Sequence, residues 1–220
     1  MSSIYLLLNQ YLRSFLLLVM LIAPVVAAIE FSDELLAYAE KKFGIEAKNR
    51  LLNWQALTNS LTNETELEKV TRINAFFNQT RFVSDMKHWG KEDYWATPVE
   101  MLITNGGDCE DYSIAKYFSL KSAGVADEKM RITYVKALRL NQAHMVLAYY
   151  PEPDADPLIL DNLNKELKPA SERDDLAPVY SFNGTGLWLS RLRGQGKRIG
   201  EASKLERWVD VNTRLLNELK

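Results

Sequence analysis

The sequence predicts an α+β fold in which helices pack on an antiparallel sheet, and three observations indicate it. From Ser32 to Thr80, apolar residues recur with the three- and four-residue spacing of amphipathic helices, and Asn63 and Glu66 are spaced as a capping box. From Met130 to Leu189 they occur in short strand-like runs that turn residues separate. The segment from Ala202 to Leu219 returns to helical spacing. With 220 residues, 47% of them hydrophobic, the chain can form one well-packed core.

The first 28 residues predict a cleaved signal peptide. Arg13 precedes an uncharged run that extends from Ser14 to Ile29, and Ala27 and Ala28 are small residues of the kind that signal peptidase accepts. A retained membrane anchor is the alternative, but a spanning helix needs about 20 apolar residues, and Pro24 interrupts this run. We therefore expect residues 1–28 to be removed and residues 29–220 to form one exported, periplasmic domain.

The charge of the chain excludes a strong overall attraction to nucleic acid. Lysines and arginines number 27 and acidic residues 29, so no positive field covers the whole molecule. One basic stretch stands out near glycines, and we interpret it as a solvated loop without an assigned role. Its residues are Arg191, Arg193, Lys197 and Arg198.

Two predicted helices flank a glycine pair and the single cysteine of the chain. The first begins at Thr97–Glu100, which supplies an N-cap, a proline at the first helical position and a glutamate at the third. It must end at Asn105–Gly107. Asp108 begins the second, which runs to Gly124, so Cys109 belongs to its first turn.

Cys109 has the features of a reactive thiol. A lone cysteine cannot form an internal disulfide, and the partial positive charge at a helix N-terminus favours the thiolate. Gly106 and Gly107 would let a substrate carbonyl approach the backbone, where the Cys109 amide could donate to an oxyanion. The alternative is a small, buried and inert cysteine.

A cysteine nucleophile needs a base, and the chain has two histidines. His144 begins a predicted strand that can aim its ring at the thiol, whereas His88 lies in an irregular polar stretch. Asp161 ends the next short strand and is the candidate that would orient the imidazole. Asn162 and Asn164 are possible substitutes for it.

Three carboxylates surround the cysteine: Asp108, Glu110 and Asp111. Their repulsion would oppose a thiolate unless a cation neutralises them. Calcium takes six to eight oxygen ligands and is abundant outside the cytoplasm, so it is the candidate ion. A solvated acidic helix start is the alternative.

These motifs together resemble the bacterial transglutaminase-like cysteine proteinases. The resemblance lies in the string Asn105–Tyr112, followed by Ala143–Val146 and Leu160–Asn162, and it covers about Trp89 to Trp188. It implies a papain/transglutaminase-like core with cysteine, histidine and aspartate on a helix, a strand and a strand.

By this resemblance Cys109 would be the nucleophile, His144 the base and then the acid, and Asp161 the orienting residue. The activating calcium would bind at Asp108, Glu110 and Asp111. Such proteases cleave the N-terminal region of a very large surface adhesin between two alanines and so release cells from a biofilm. An inner-membrane cyclic di-GMP receptor of the LapD type sequesters them.

Two other functions remain open at the level of sequence. The same acyl-enzyme could pass its acyl group to an amine, as in true transglutaminases. A calcium-responsive peptide-binding module with an inert Cys109 would carry the same acidic residues without catalysis.

Overall fold

The computed structural model describes residues 29–189 and 196–219. The predicted signal peptide, residues 1–28, therefore lies outside the described part, as do Arg191 and Arg193 of the basic stretch. Within the described residues, no helix combines the length and the apolar character needed to cross a membrane.

Seven α-helices are present in the described part of the chain. They are α1 (Asp33–Phe43), α2 (Ile45–Ser60), α3 (Glu66–Phe77), α4 (Asp85–His88), α5 (Pro98–Thr104), α6 (Cys109–Ser122) and α7 (Glu206–Glu218).

The strands form two sheets. A short parallel pair joins β1 (Arg81–Phe82) to β2 (Gly106–Gly107). In the part of the chain that the structure describes, the main sheet contains seven strands in the order β6-β5-β4-β3-β7-β8-β9, and every neighbouring pair is antiparallel. Its strands are β3 (Met130–Ala137), β4 (Gln142–Tyr149), β5 (Leu158–Leu160), β6 (Lys168–Pro169), β7 (Leu176–Phe182), β8 (Gly186–Leu189) and β9 (Lys197–Glu201). The predicted α+β fold with helices on an antiparallel sheet is confirmed.

Helix α6 lies between the other helices and the sheet, and this position explains its composition. Ile114, Tyr117 and Leu120 are fully buried, and they share one core with Met145 and Leu147 of β4. Side chains alternate along a strand, so the intervening residues of β4 contribute to a second apolar cluster on the other face of the sheet. The sheet therefore has a core on both faces, and the first residue of α6 is held against β4.

Two local predictions are wrong. Helix α3 begins at Glu66 rather than Asn63, because the Thr65 side chain accepts the bond from the Glu68 amide at 3.3 Å and is the N-cap. Lys197 and Arg198 belong to β9 rather than to a solvated loop. The exposed backbone of β8 would otherwise lack a partner, and β9 satisfies it.

Candidate active site

The turn before Cys109 is built from helix-ending and helix-starting signals. A capping box between Thr97 and Glu100 begins α5, as predicted, with bonds of 2.8 and 3.1 Å. Asn105 ends α5 in the left-handed region with φ 51°, which asparagine tolerates better than most residues. The chain then pairs with β1 through Gly106–Gly107, and Cys109 is the first residue of α6. Its backbone N–H therefore belongs to a first helical turn, where amides lack intrahelical acceptors.

The two glycines of β2 lack a Cβ at positions where other side chains of the protein pack closely against the backbone. A Cβ on Gly107 would lie 2.7 Å from Oδ2 of Asp111, and one on Gly106 would lie 2.8 Å from Cε1 of His88. The sequence alone suggests that these glycines allow the approach of a substrate, and the structure adds this packing requirement. His88 meets Thr104 at 2.8 Å through Nε2, so it packs beneath the turn.

His144 and Asp161 form a buried pair. Nε2 of His144 lies 2.8 Å from Oδ1 of Asp161, and the side-chain exposures are 2% and 0%. With Nε2 engaged in this way, Nδ1 is the nitrogen left to exchange a proton with another group. The structure thus joins the predicted base to its predicted orienting residue.

Cys109 and His144 line one cavity of about 380 Å³. Helix α6 packs on β4 here, and Met145, the residue after His144, lines the same cavity. The three predicted catalytic residues are therefore brought to one place from α6, β4 and the end of β5. The arrangement can support nucleophilic attack with proton transfer.

Several groups stabilise the Asp161 carboxylate. Nη2 of Arg173 donates to Oδ2 at 2.7 Å, and the Leu163 amide donates to Oδ1 at 2.9 Å. Burial by itself raises the pKa of the Asp161 carboxyl, but the bonds from His144 and Arg173 outweigh it and hold the pKa well below its usual range. Asp161 is therefore ionised at neutral pH. Asn162 and Asn164, the possible substitutes, make no such bond to His144 among the described contacts.

The carboxylates around Cys109 repel one another. The Cys109 thiol donates to Oε2 of Glu110 at 3.0 Å. Burial, followed by the Glu110 and Asp108 carboxylates, raises the pKa of the Cys109 thiol above its usual range. Burial, together with repulsion from Glu110 and Asp85, also raises the pKa of Asp108 and of Asp111. Without a neutralising cation, this environment opposes the thiolate that a nucleophile needs.

The acidic cluster includes two residues that sequence reasoning missed, Asp85 and Asp93. Oxygens of Asp85, Asp108 and Asp111 lie within 4.8 Å of one another, and so do those of Asp85, Asp93 and Glu110. Burial, with repulsion from Glu110, raises the pKa of Asp85 to about 6. The sequence signal was the recurrence of aspartates on either side of the irregular stretch that follows β1, but nothing local links this stretch to α6.

The chemistry of the cluster fits a hard cation. Oδ1 of Asp85 and Oδ1 of Asp108 are buried without a hydrogen-bond partner within the described residues. Unpaired buried carboxylate oxygens are costly, and coordination of an ion would satisfy both. Asp111 differs, because its oxygens already accept from the amides of Ala96 at 2.7 Å and Asp108 at 3.1 Å. Its bonds hold the start of α6 against the preceding loop.

The aromatic side chains of Trp95, Tyr134 and Tyr180 form part of the cavity wall. Trp95 stacks on Phe182 with ring centroids 5.5 Å apart, and Tyr134 stacks on Tyr180 at 5.1 Å. Asp93, which also lines the cavity, pairs with Arg207 at 2.9 Å.

Comparison with known proteins identifies the family. Residues 46–176, more than half of the chain, match the family described as bacterial transglutaminase-like cysteine proteinase. The chain belongs to this family. The resemblance found in the sequence is thereby confirmed, and so is the papain/transglutaminase-like fold class.

Solved structures of one family member are similar to this chain over most of its length. LapG of Legionella pneumophila is 39% identical with a TM-score of 0.73, and the match covers 86% of this chain and 99% of that one. Its calcium-bound form is 40% identical with a TM-score of 0.71 over 84% of this chain and 99% of that one. Its EGTA-treated form is 39% identical with a TM-score of 0.74 over 86% and 100%. No curated protein matches the chain.

Membership of the bacterial transglutaminase-like cysteine proteinase family decides the reaction class. The protein is a cysteine protease. This favours hydrolysis over the amide transferase and over the non-catalytic binding module that the sequence left open.

Proposed function

We propose that the protein is a calcium-dependent periplasmic endopeptidase with Cys109 as nucleophile, His144 as base and Asp161 as orienting residue. The observation that carries the proposal is the buried bond of 2.8 Å between His144 and Asp161, beside the cavity that His144 shares with the single cysteine. Cysteine proteases of unrelated sequence use the same order of thiol, imidazole and orienting group.

The proton path follows from which nitrogen is engaged. His144 takes the thiol proton at Nδ1 while Asp161 holds Nε2, and the Cys109 sulfur attacks the scissile carbonyl carbon to form a tetrahedral intermediate. The Cys109 amide donates to the oxyanion. His144 then protonates the leaving amine, and the C–N bond breaks to leave a thioester. Water, deprotonated by His144, hydrolyses the thioester and releases the thiol.

We propose that calcium binds at the acidic cluster. Asp108 and Glu110, predicted from the sequence, would contribute ligands together with Asp85 and Asp93, and Asp111 would support them through its bonds to backbone amides. Two unpartnered buried oxygens, on Asp85 and Asp108, support this assignment. When bound, calcium would neutralise the carboxylates that raise the pKa of the Cys109 thiol.

The substrate we propose is the N-terminal region of a large surface adhesin, cut between two alanines so that the adhesin is released and the biofilm disperses. The identity of 39% with Legionella LapG over most of both chains supports this proposal. We also propose control by an inner-membrane cyclic di-GMP receptor of the LapD type that sequesters the protease. Removal of residues 1–28 during export would place the protein in the periplasm with both partners.

Mass spectrometry of an adhesin N-terminal fragment tests the reaction. The mature protein, residues 29–220, is incubated with the fragment in calcium and in chelator. We expect one cut at an alanine pair in calcium and its loss in Cys109→Ala. Equal cleavage by Cys109→Ala would contradict the nucleophile, and full activity in chelator would contradict the metal.

The two histidines provide a matched control. His144→Gln is expected to abolish cleavage, whereas His88→Gln is expected to retain it, because His88 contacts Thr104 rather than the sulfur. Loss of activity in both variants without unfolding would argue against the assigned base.

Addition of the full-length receptor in nanodiscs tests the proposed control. The receptor should inhibit cleavage when cyclic di-GMP is present and should not inhibit it when cyclic di-GMP is absent.

A further inference from the structure

Arg173 contacts the oxygen of Asp161 that His144 leaves free. His144 occupies Oδ1 at 2.8 Å, and Nη2 of Arg173 occupies Oδ2 at 2.7 Å. Arg173 is 4% exposed, so this bond is shielded from water. Each carboxylate oxygen therefore has its own strong partner, and the plane of the carboxylate is fixed from two sides.

Arg173 is itself held in place by Asp175. Its Nε donates to Oδ1 of Asp175 at 2.8 Å and its Nη2 to Oδ2 at 2.9 Å, a bidentate pair. The Arg173 amide also bonds to the Ala170 carbonyl at 3.1 Å, which ends a short 3-10 helix. A rigid guanidinium fork held in this way presents one N–H to Asp161 in a fixed direction.

Arg173 lies away from the reacting atoms. It does not line the cavity that contains Cys109 and His144; it lines a separate cavity of about 680 Å³, beside the apolar cluster on the other face of the sheet. Its effect on the reaction must therefore pass through Asp161. Such an effect is one of positioning rather than of contact with substrate.

The buried amine near Asp161, that of Lys116, acts on the main chain. Lys116 of α6 donates to Oδ1 of Asn78 at 2.8 Å, and Nδ2 of Asn78 donates to the Asp161 carbonyl at 2.9 Å. The titratable groups facing Asp161 are thus His144 from β4, Lys116 from α6 and Arg173. Within the described residues, Arg173 is the permanent cation that bonds the carboxylate itself.

We propose that Arg173 is a positioning residue. By binding Oδ2 of Asp161 it fixes the carboxylate, so that Oδ1 orients His144 towards Cys109. The proposal rests on the proposed triad. Without the arginine, the carboxylate could rotate about its side-chain bond, and small misplacements of a catalytic group can cost about 100-fold in rate.

The test uses the single cysteine of the chain as a reporter that needs no substrate. The rate of Cys109 alkylation by iodoacetamide is measured in calcium at pH 7, together with kcat and KM on the adhesin fragment. Arg173→Met is expected to lower alkylation and kcat by roughly 100-fold with little change in KM. Arg173→Lys, which keeps the charge without the fork, should recover part of the loss.

Arg131→Met is the matched control. Arg131 is 6% exposed and stacks on Trp188, 4.2 Å from the ring centroid, away from the triad. The Arg131→Met substitution should lower the free energy of unfolding without slowing the alkylation of Cys109. A loss of rate in Arg173→Met no greater than in Arg131→Met would overturn the proposal.

A double-mutant cycle distinguishes this proposal from the proposed function. If Arg173 acts through Asp161, adding Arg173→Met to Asp161→Asn should slow alkylation by less than about twofold further. An additive loss would overturn the positioning role even if the triad is correct. Conversely, an alkylation rate of Asp161→Asn equal to that of wild type would reject the triad. If the alkylation rates show the expected coupling between Arg173 and Asp161 but the adhesin fragment is not cleaved, only the proposed substrate would be rejected.

Discussion

Nε2 of His144 lies 2.8 Å from Oδ1 of Asp161, and both side chains are almost completely buried. Because the Asp161 carboxylate accepts a hydrogen bond from Nε2–H of His144, the ring is fixed in the tautomer whose Nδ1 can accept a proton. This single contact sets both the orientation and the tautomer of the proposed base.

Replacing the carboxylate by an amide tests that contact. In Asp161→Asn, the side-chain N–H₂ can donate to Nε2 and favour the wrong tautomer, so kcat should fall by roughly 10²- to 10⁴-fold. Asn164→Ala is the control, because Asn164 accepts from the Glu166 amide in an exposed turn. Peptide-cleavage kinetics on both variants check this prediction; a comparable loss in Asn164→Ala would favour the substitute that the sequence left open.

The stability contributed by Asp161 should depend on pH. The folded-state pKa of Asp161 is depressed, so its contribution is complete above the unfolded pKa of about 4 and is lost as the pH falls through the folded value. Wild type should exceed Asp161→Asn in free energy of unfolding at pH 7, and the difference should narrow below about pH 4. Urea denaturation at pH 7 and pH 3 measures it. A constant difference would contradict the ionised, paired state.

Asp85 should contribute to calcium affinity. Asp85→Asn removes a negative charge from the acidic cluster and replaces a carboxylate whose Oδ1 has no hydrogen-bond partner among the described residues. We therefore expect the calcium affinity, measured by calorimetry, to fall by about tenfold or more. Asp33→Asn, at the exposed start of α1 and outside the cluster, should bind normally. Calcium at 100 times its Kd should also raise the free energy of unfolding of wild type by about 2.7 kcal/mol. Unchanged affinity in Asp85→Asn would remove this residue from the ligands.

Gly107 should tolerate no side chain. A Cβ there would meet Oδ2 of Asp111 at 2.7 Å, so Gly107→Ala must displace the start of α6 and should cost about 1–3 kcal/mol of stability. Gly200→Ala is the control, since its nearest neighbour, the Lys204 side chain, is 3.5 Å away. Thermal unfolding and cleavage rates of both variants provide the measurement. Equal losses of stability in the two variants would show that the short distance between residue 107 and Asp111 does not exclude a side chain at position 107.

Lys116 should make stability rise with pH. It is fully buried, and burial lowers its pKa to about 7. Above pH 7 the folded lysine is neutral while the unfolded one stays protonated, so the unfolded state binds more protons and stability increases by up to about 1.4 kcal/mol per pH unit. Lys116→Met should flatten this rise between pH 7 and 9 in urea titrations. An identical slope in both proteins would contradict a neutral buried amine.

Local signals in the sequence were sufficient to predict the elements that carry the site. The capping box at Thr97 and Glu100, the glycine pair and the acidic start of α6 each act within a few residues, so they predict the position of Cys109 directly. The fold class followed from periodicity. Where a competing cap lay close by, as Thr65 does after Asn63, the local signal was ambiguous and the predicted helix start was wrong.

By itself, the sequence determined which residue types can perform the chemistry: one cysteine, two histidines and an acidic helix start. Only the tertiary structure decided that Asp85 and Asp93 join that acidic cluster, and that Arg173 fixes Asp161. The reason is physical. Caps and periodicity depend on neighbours along the chain, whereas these contacts depend on how α6, the loop after β1 and the sheet pack together, which no local pattern encodes.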